Sequence, residues 1–169
     1  NKHIKKQIKM IKSTIMSKMQ RGYNKKKYIE KIDMIRSIIP DVSLTTDIIV
    51  GFPGETDEDF IDTMDIVNYS EFDSVYMFKF SPRPGTVAFN MNQEFVEKKV
   101  IDNRFQLLKD TQTDISERRL KRFVGTEQLL LIEKLSKKNK KINSGKIDSG
   151  QITHIDKGDL NLGDFVKVN

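Results

Sequence analysis

Cysteine and tryptophan are absent from this chain of 169 residues. Without thiols the chain forms no disulfide, and it has no thiolates with which to hold an iron–sulfur cluster. A zinc site is not expected either, because the two histidines, His3 and His154, lie far apart in the sequence. No apolar run reaches the length of a membrane-spanning helix, and no secretory apolar segment is present. The sequence therefore predicts a soluble protein with no membrane partner.

The net charge of +6 is unevenly distributed along the chain. Residues 1–27 contain ten Lys or Arg and no acidic residue, whereas residues 28–116 contain eight basic and seventeen acidic residues. Residues 117–146 are basic again, with ten basic and three acidic side chains. Lysine-rich segments are often only solvated surface, but clustering of this kind favours a polyanionic partner.

A helix, a strand, a second helix and a second strand are predicted between residues 24 and 80. Asn24 is suited to cap the first helix, whose buried stripe is predicted to contain Tyr28, Ile32, Ile35 and Ile39. The second helix is predicted from Asp57 to about Ser70, with Phe60, Met64 and Val67 on its apolar face. This order predicts two adjacent parallel strands.

The stretch from Ser43 to Asp59 is the centre of this pattern. Its β-branched run, Ile48 to Val50, predicts a strand buried on both faces. Gly51 begins a Gly/Pro loop, and Thr56 followed by Asp59 predicts a capping box for the next helix. Such a loop lies where α/β folds place ligand sites, although an ordinary β-to-α connection has the same composition.

Three charged residues near the two strand ends are candidates for ligand binding. Asp47 or Glu55 is able to accept hydrogen bonds from a ribose or an amino group; for Glu55, bracing of the loop through backbone N–H groups is favoured. The second strand, residues 73–80, leads into a loop where Arg83 stands between two prolines. That rigid frame suits contact with a carboxylate or a phosphate, and a salt bridge to the acidic body is the alternative.

The rest of the chain predicts a long helix and a small β domain. After an irregular piece over residues 87–93, a helix is predicted to run to about Leu120 and to bridge two domains, 1–121 and 122–169. Its apolar side is formed by Val96, Val100, Phe105, Leu108 and Ile115. Short strands near residues 128–132, 145–148, 151–155 and 164–168, with a basic loop over 137–141, predict a small antiparallel barrel.

Several of these stretches together resemble a known family. Residues 46–55 (TDIIVGFPGE), 72–74 (FDS) and 81–86 (SPRPGT) are similar to the second half of the radical S-adenosylmethionine methylthiotransferases, and most similar to the branch that modifies isopentenylated adenosine 37 of tRNA. Residues 21–23 (RGY), Gln93, Arg104 and Gln112 also fall at family positions. The C-terminal stretch resembles the TRAM domain that ends these enzymes, with Lys146 where the family usually has arginine.

The resemblance implies a fold and an activity. The fold is α/β: the C-terminal part of an open parallel (β/α) radical SAM barrel, followed by a small antiparallel, TRAM-like β-barrel. The activity is that of a transferase in tRNA modification, which methylthiolates C2 of N6-isopentenyladenosine 37 with S-adenosylmethionine and two 4Fe–4S clusters. Because the clusters need cysteines, the chain is expected to be the part that follows the cluster motif, to need the missing N-terminal part, and to be inactive alone.

The resemblance also implies roles for particular residues. No catalytic and no metal-binding residue is expected on this chain. The expected contacts with S-adenosylmethionine come from Asp47, Gly51, Phe52 and Arg83. The expected contacts with the anticodon stem-loop of tRNA come from Arg118, Arg119, Lys137, Lys138, Lys140, Lys141 and Lys146. The protein is expected to be a monomer, located in the cytoplasm or in an organelle matrix.

Two alternatives remain open from the sequence. Ile4, Ile8, Ile11, Ile15 and Met19 predict a basic amphipathic helix, where the family instead has a strand and a Ser/Gly loop near the cofactor. Binding of that helix to a membrane surface is a weaker alternative, because tryptophan is absent. For function, the rival hypothesis is a non-catalytic RNA-binding protein that retains a fragment of the barrel.

Overall fold

The computed structural model describes residues 24–169, which fall into two compact units divided between Glu117 and Arg118. The hypotheses about residues 1–23, including the amphipathic helix, lie outside the described residues. The elements in order are α1 (Lys25–Ile38), β1 (Thr45–Val50), α2 (Asp57–Ser70), β2 (Ser74–Lys79), α3 (Lys98–Leu120), β3 (Gln128–Leu135), β4 (Ile142–Ile147), β5 (Ile152–Asp156) and β6 (Phe165–Val168). None of the helices in this described part is long and apolar enough to cross a membrane.

The first unit is built on two parallel strands, as the element order predicts. β1 and β2 pair over their full lengths, from Thr45 opposite Ser74 to Val50 opposite Lys79. The connection between them is α2, which begins at the predicted capping box: Asp59 N–H donates to Thr56 Oγ1 at 3.2 Å, and Thr56 N–H donates to Asp59 Oδ2 at 3.1 Å. The side chains thus satisfy two N–H groups that the helix itself leaves unpaired.

The first helix is capped as predicted, but its buried stripe is partly different. Lys27 N–H donates to Asn24 Oδ1 at 3.0 Å. The buried positions are Lys25, Ile29 and Ile32, whereas Ile39 is 54% exposed. The prediction for Ile39 is therefore wrong, because the helix ends at Ile38 and the side chain that follows no longer continues the 3.6-residue period.

Polar side chains attach α1 to the elements beside it. The ammonium of Lys25 contacts Asp62 at 2.9 Å and Asp65 at 3.0 Å on α2. Burial opposes its charge, but these two carboxylates outweigh that effect and raise the pKa of Lys25. The sequence pattern gave no indication of this contact, because the partners are about forty residues away.

In the part of the chain that the structure describes, helices pack against one face of the β1–β2 sheet. Val50, Phe60, Val67, Leu108 and Ile115 form the core, so α2 and α3 both contribute to it, and the apolar face predicted for α2 is confirmed. On the other face Ile49, Tyr76 and Phe78 are 37%, 62% and 52% exposed. The prediction of a strand buried on both faces is therefore wrong for the described residues, because successive side chains alternate and no described element covers the second face.

The long helix α3 ends at Leu120, as predicted, and the boundary between the units falls inside it. Leu108 and Ile115 are buried, as their spacing predicts, but two polar side chains, Arg104 and Gln112, are buried with them. Gln112 donates to the carbonyl oxygen of Phe72 at 2.7 Å, so its side chain holds the loop before β2 against α3. A hydropathy pattern does not reveal buried polar groups of this kind.

The second unit contains a four-stranded antiparallel sheet in the order β5-β4-β3-β6. Leu130, Ile132 and Ile147 form its core, with Ile155 and Val166 packed against them. Gly145 lets β4 approach β3 closely, since a Cβ at that position would lie 1.9 Å from the carbonyl oxygen of Leu131. Within residues 24–169, β5 and β6 are the two edges of this sheet.

Candidate functional sites

The loop after β1 is fixed by a buried charge network. Arg104 of α3 donates from Nη1 to Glu55 Oε1 and from Nη2 to Asp57 Oδ1, both at 2.6 Å. Glu55 also accepts the N–H of Gly51 at 3.1 Å. The side chains of Arg104 and Glu55 are only 8% and 6% exposed. This geometry supports the bracing role that the sequence favours for Glu55, with Arg104 as the partner that the sequence did not identify.

Burial governs the ionisation of Glu55. Removal from water raises the pKa of Glu55, although the Gly51 N–H and the Arg104 guanidinium oppose that shift. Loss of Arg104 would leave this carboxylate buried without its cationic partner. The network therefore stabilises the conformation of the loop. Its loss would displace the residues that the loop positions.

Gly51 and Phe52, two predicted cofactor residues, have clear structural roles. Gly51 has φ +79°, and a Cβ built there would lie 2.4 Å from Ile101 Cγ1 on α3. Glycine suits this position for two reasons: it tolerates the left-handed conformation, and it has no Cβ to collide with α3. Phe52 is 8% exposed, and its ring lies edge-on to Phe80 with centroids 5.5 Å apart.

A cleft of about 340 Å³ lies beside the ends of the two parallel strands. Its lining includes Gly51, Lys79, Phe80, Lys98 and Asp102. The Lys79 ammonium contacts the Asp102 carboxylate at 2.6 Å across it, and the hydrogen bond and charge of Lys79 lower the pKa of Asp102. This ion pair accounts for two of the charged side chains in the lining, and Lys98 adds a third.

Asp47 lies on the uncovered face of the β1–β2 sheet. It is exposed and pairs in register with Tyr76. Two residues further along the strand, and on the same face, Ile49 pairs with Phe78. The face therefore presents one carboxylate beside an aliphatic and two aromatic side chains. A hydrogen-bond acceptor next to flat apolar groups suits a nucleoside, which needs both.

Arg83, the fourth predicted cofactor residue, lies on the loop after β2. The residue is exposed, and Thr86 Oγ1 donates to its carbonyl oxygen at 2.8 Å, which closes the turn from Arg83 to Thr86. Within residues 24–169 no ion pair involves its guanidinium, so the alternative of a salt bridge to the acidic body has no support there. The structure shows no contact that joins Arg83 to Asp47.

The resemblance implies two bound groups, S-adenosylmethionine and iron–sulfur clusters. The residues described above fit the first and not the second. An acceptor, aromatic surface and an available guanidinium agree with a nucleoside cofactor that carries a carboxylate, such as S-adenosylmethionine. Iron–sulfur clusters do not fit, because the sequence offers no thiolate. In addition, His, Asp and Glu form no metal-binding group among the residues that the structure describes.

The predicted basic loop connects β3 and β4 as a hairpin. Ser136 N–H donates to the Ile142 carbonyl at 2.8 Å and closes its base, and Lys141 N–H donates to Asn139 Oδ1 at 2.9 Å. All four predicted lysines of the loop are exposed, and in the described part of the chain none of their side chains has an ion-pair partner: Lys137, Lys138, Lys140 and Lys141. Lys157 N–H donates to the Lys141 carbonyl at 2.8 Å, so a further lysine that the sequence interpretation missed lies beside the loop.

The other predicted RNA-binding residues lie outside the loop. Arg118 and Arg119 are in the last turn of α3. Lys146 is exposed on β4, and its ammonium is 3.8 Å from Glu133 Oε1. The structure therefore gathers the loop lysines in one place and leaves Lys146 on the face of the sheet.

Two protein-family models match separate stretches of the chain. The model described as the Radical SAM superfamily matches residues 7–67, and the model described as the TRAM domain matches residues 121–169. The two matches follow the order that the sequence motifs indicate.

Curated relatives match nearly the whole chain. Proteins named tRNA-2-methylthio-N(6)-dimethylallyladenosine synthase are 45% identical in Fusobacterium nucleatum, 42% in Acetivibrio thermocellus and 41% in Corynebacterium jeikeium, over 92%, 91% and 91% of this chain. The aligned segment covers 36%, 32% and 30% of those relatives, so the chain spans about a third of their length. The chain therefore carries Radical SAM sequence followed by a TRAM domain, and over most of its length it is similar to the C-terminal portion of these synthases.

Proposed function

We propose that this chain is the C-terminal portion of a tRNA methylthiotransferase, which places a methylthio group on C2 of N6-dimethylallyladenosine 37. The observation that carries the proposal is similarity across both units at once, 45% identity over 92% of the chain in one relative. The first unit would supply the last strands of an open parallel barrel. The second would supply a TRAM-like barrel that binds RNA.

The first unit would hold the nucleoside end of S-adenosylmethionine on its uncovered sheet face. Asp47 would accept hydrogen bonds from the ribose or the adenine amino group, and the guanidinium of Arg83 would meet a carboxylate. Gly51 and Phe52 would act on the cofactor through the loop whose conformation they fix. When bound, S-adenosylmethionine supplies the radical and the methyl group of the reaction. The clusters would have to be held by cysteines outside this sequence.

The second unit would hold the anticodon stem-loop. Its positive charge supports this role, because residues 118–169 contain twelve Lys or Arg and only six Asp or Glu. Residues 24–117, in contrast, contain eleven Lys or Arg and eighteen Asp or Glu. The exposed loop lysines contribute four of those positive charges without carboxylate partners in the described part. Arg118, Arg119 and Lys146 would add contacts around them.

The rival hypothesis of a non-catalytic RNA-binding protein has less support. It requires only the second unit to resemble an RNA-binding module, whereas the matched relatives are synthases that align with both units. The two hypotheses share the prediction of RNA binding and differ in the prediction of methylthiolation.

Replacing Lys137, Lys138, Lys140 and Lys141 with alanine is expected to weaken tRNA binding for all tRNA sequences. Each phosphate neutralised by a lysine releases counterions, so the slope of log K against log salt should flatten by roughly three to four units. Binding isotherms of the full chain with tRNA at several salt concentrations measure both effects. Folding should be unchanged, because these side chains are exposed.

A matched control removes the same charge elsewhere. Alanine at Lys26, Lys27, Lys99 and Lys109 takes four exposed lysines from the first unit. This control should keep most of the affinity and the parent's salt slope. If the two quadruple variants reduce affinity and slope equally, the loop has no special part in RNA binding and only the net charge matters.

A further inference from the structure

The outer face of the second sheet, opposite its core, presents large apolar side chains to solvent. Strand alternation places Leu130 and Ile132 in the core, so Leu129 and Leu131 point to the other side. On that side Phe165 is 65% exposed, Ile152 is 61% exposed and Leu129 is 41% exposed. Contiguous exposed apolar groups on one face mark a binding surface more often than isolated ones do.

The register shows that these groups form one continuous row. Ile152 pairs with Lys146, Lys146 pairs with Leu131, and Leu131 pairs with Phe165, so the row crosses all four strands. Lys167 is two residues from Phe165 on β6 and pairs with Leu129. The only aromatic ring of the row thus stands between two lysines, one across the sheet and one along its own strand.

We propose that this outer face binds unpaired RNA, with one base stacked on the ring of Phe165 and the flanking phosphates near Lys146 and Lys167. The proposal rests on the RNA-binding function proposed above and names a contact surface beyond the basic loop. Aromatic rings beside basic side chains are the arrangement that single-stranded nucleic acid requires, because every base has a flat face and every linkage a negative charge.

The charges on this face favour RNA over a protein segment. Lys167 contacts Glu127 at 2.8 Å and Lys146 lies 3.8 Å from Glu133, but all four side chains are well exposed. Exposed ion pairs of this kind contribute little, so a phosphate can replace either carboxylate at small cost. A purely apolar protein segment would gain nothing from lysines placed between the apolar side chains.

The outer face and the basic loop share a strand. Phe165 pairs with Leu131, and the loop begins five residues later at Ser136, which corresponds to roughly 16 Å along β3. One RNA segment of a few nucleotides can therefore contact both. The loop would supply most of the electrostatic attraction, and Phe165 would fix the position of a base.

Phe165→Ala in the full chain is expected to weaken binding of an anticodon stem-loop RNA by about 5- to 150-fold, the range for loss of one stacked base. The salt slope should stay at the parent value, because no phosphate contact is removed. Leu162→Ala is the matched control, since Leu162 is 62% exposed but lies in the turn before β6. That variant should bind as the parent does.

A second variant reports stacking directly. The chain has no tryptophan, so Phe165→Trp introduces a single indole, which keeps a flat ring at this position. This variant should retain affinity, and RNA should quench its fluorescence. A tryptophan at position 162, introduced by Leu162→Trp, should respond much less.

The outcomes separate this proposal from the proposed function. If Phe165→Ala binds RNA as the parent does while the loop quadruple variant loses affinity, the stacking proposal is wrong and RNA binding stands. If Phe165→Trp is not quenched by RNA, the base does not stack at this position. If the parent itself does not bind the stem-loop, the RNA-binding function fails together with the proposal. Capture of a peptide instead of RNA by the outer face would likewise overturn the proposal.

Discussion

Arg104→Ala is expected to lower the free energy of unfolding of the first unit by about 3–5 kcal/mol, the cost of removing one partner of a buried ion pair. Arg104 holds Glu55 and Asp57 at 2.6 Å, and Glu55 is 6% exposed. Without the guanidinium, a buried carboxylate loses its counter-charge. All four tyrosines lie between residues 23 and 76, so tyrosine fluorescence during urea unfolding reports this unit alone.

The neighbouring residue Asp102 provides the control for Arg104. Asp102 lies on the same helix and pairs with Lys79, but both side chains are close to half exposed. Asp102→Ala should therefore leave the unfolding midpoint nearly unchanged. If the two variants lose a similar free energy of unfolding, the buried Glu55–Arg104 ion pair contributes no more to stability than the exposed Lys79–Asp102 pair does.

Lower pH should reduce the loss caused by Arg104→Ala. Burial already raises the pKa of Glu55 in the folded protein, and removal of Arg104 takes away an effect that lowers it. A carboxyl group whose folded pKa lies above its unfolded pKa destabilises the fold at high pH, and this penalty disappears as the pH falls and the group protonates. The stability difference between variant and parent should thus shrink from neutral toward acidic pH. A difference that grows on acidification would contradict the assignment to Glu55.

Val50→Asp is expected to unfold the first unit, whereas Ile49→Asp is expected to cost about 1 kcal/mol, the span of strand preferences at an exposed position. Val50 is 1% exposed within the core, so an aspartate there buries an unpaired charge at a cost of several kcal/mol. Ile49 is 37% exposed on the uncovered face. Adjacent residues of one strand therefore test which face is packed.

The same fluorescence experiment compares the two aspartate variants. Val50→Asp should show no cooperative tyrosine transition, and Ile49→Asp should retain one near the parent's midpoint. Equal losses in both variants would mean that the second face is also packed in solution, as the β-branched run predicts.

Local sequence chemistry predicts much of this fold. The capping box of Thr56 and Asp59, the Asn24 cap and the basic hairpin loop depend on residues a few positions apart, and the structure confirms them. The parallel pairing of β1 and β2 follows from the order of the elements, which restricts the possible topologies.

Long-range contacts explain what the sequence could not predict. Arg104 finds Glu55 at a separation of 49 residues, and Gly51 is required partly because Ile101 approaches it. The exposure of Ile49 depends on which elements cover the sheet, whereas its own side chain is as apolar as that of its buried neighbour. Phe165 was missed for a related reason, because only the pairing of three strands brings it into one row with Lys146.

Methylthiolation by a chimeric synthase tests the central claim most directly. The segment of the Fusobacterium nucleatum synthase that aligns with this chain would be replaced by this chain, and the chimera expressed in a strain that lacks its own synthase. Mass spectrometry of tRNA nucleosides should then detect 2-methylthio-N6-dimethylallyladenosine. If a soluble chimera that loads its iron–sulfur clusters leaves N6-dimethylallyladenosine unmodified, while the intact synthase converts it, the claim that this chain supplies the C-terminal portion of such an enzyme is contradicted.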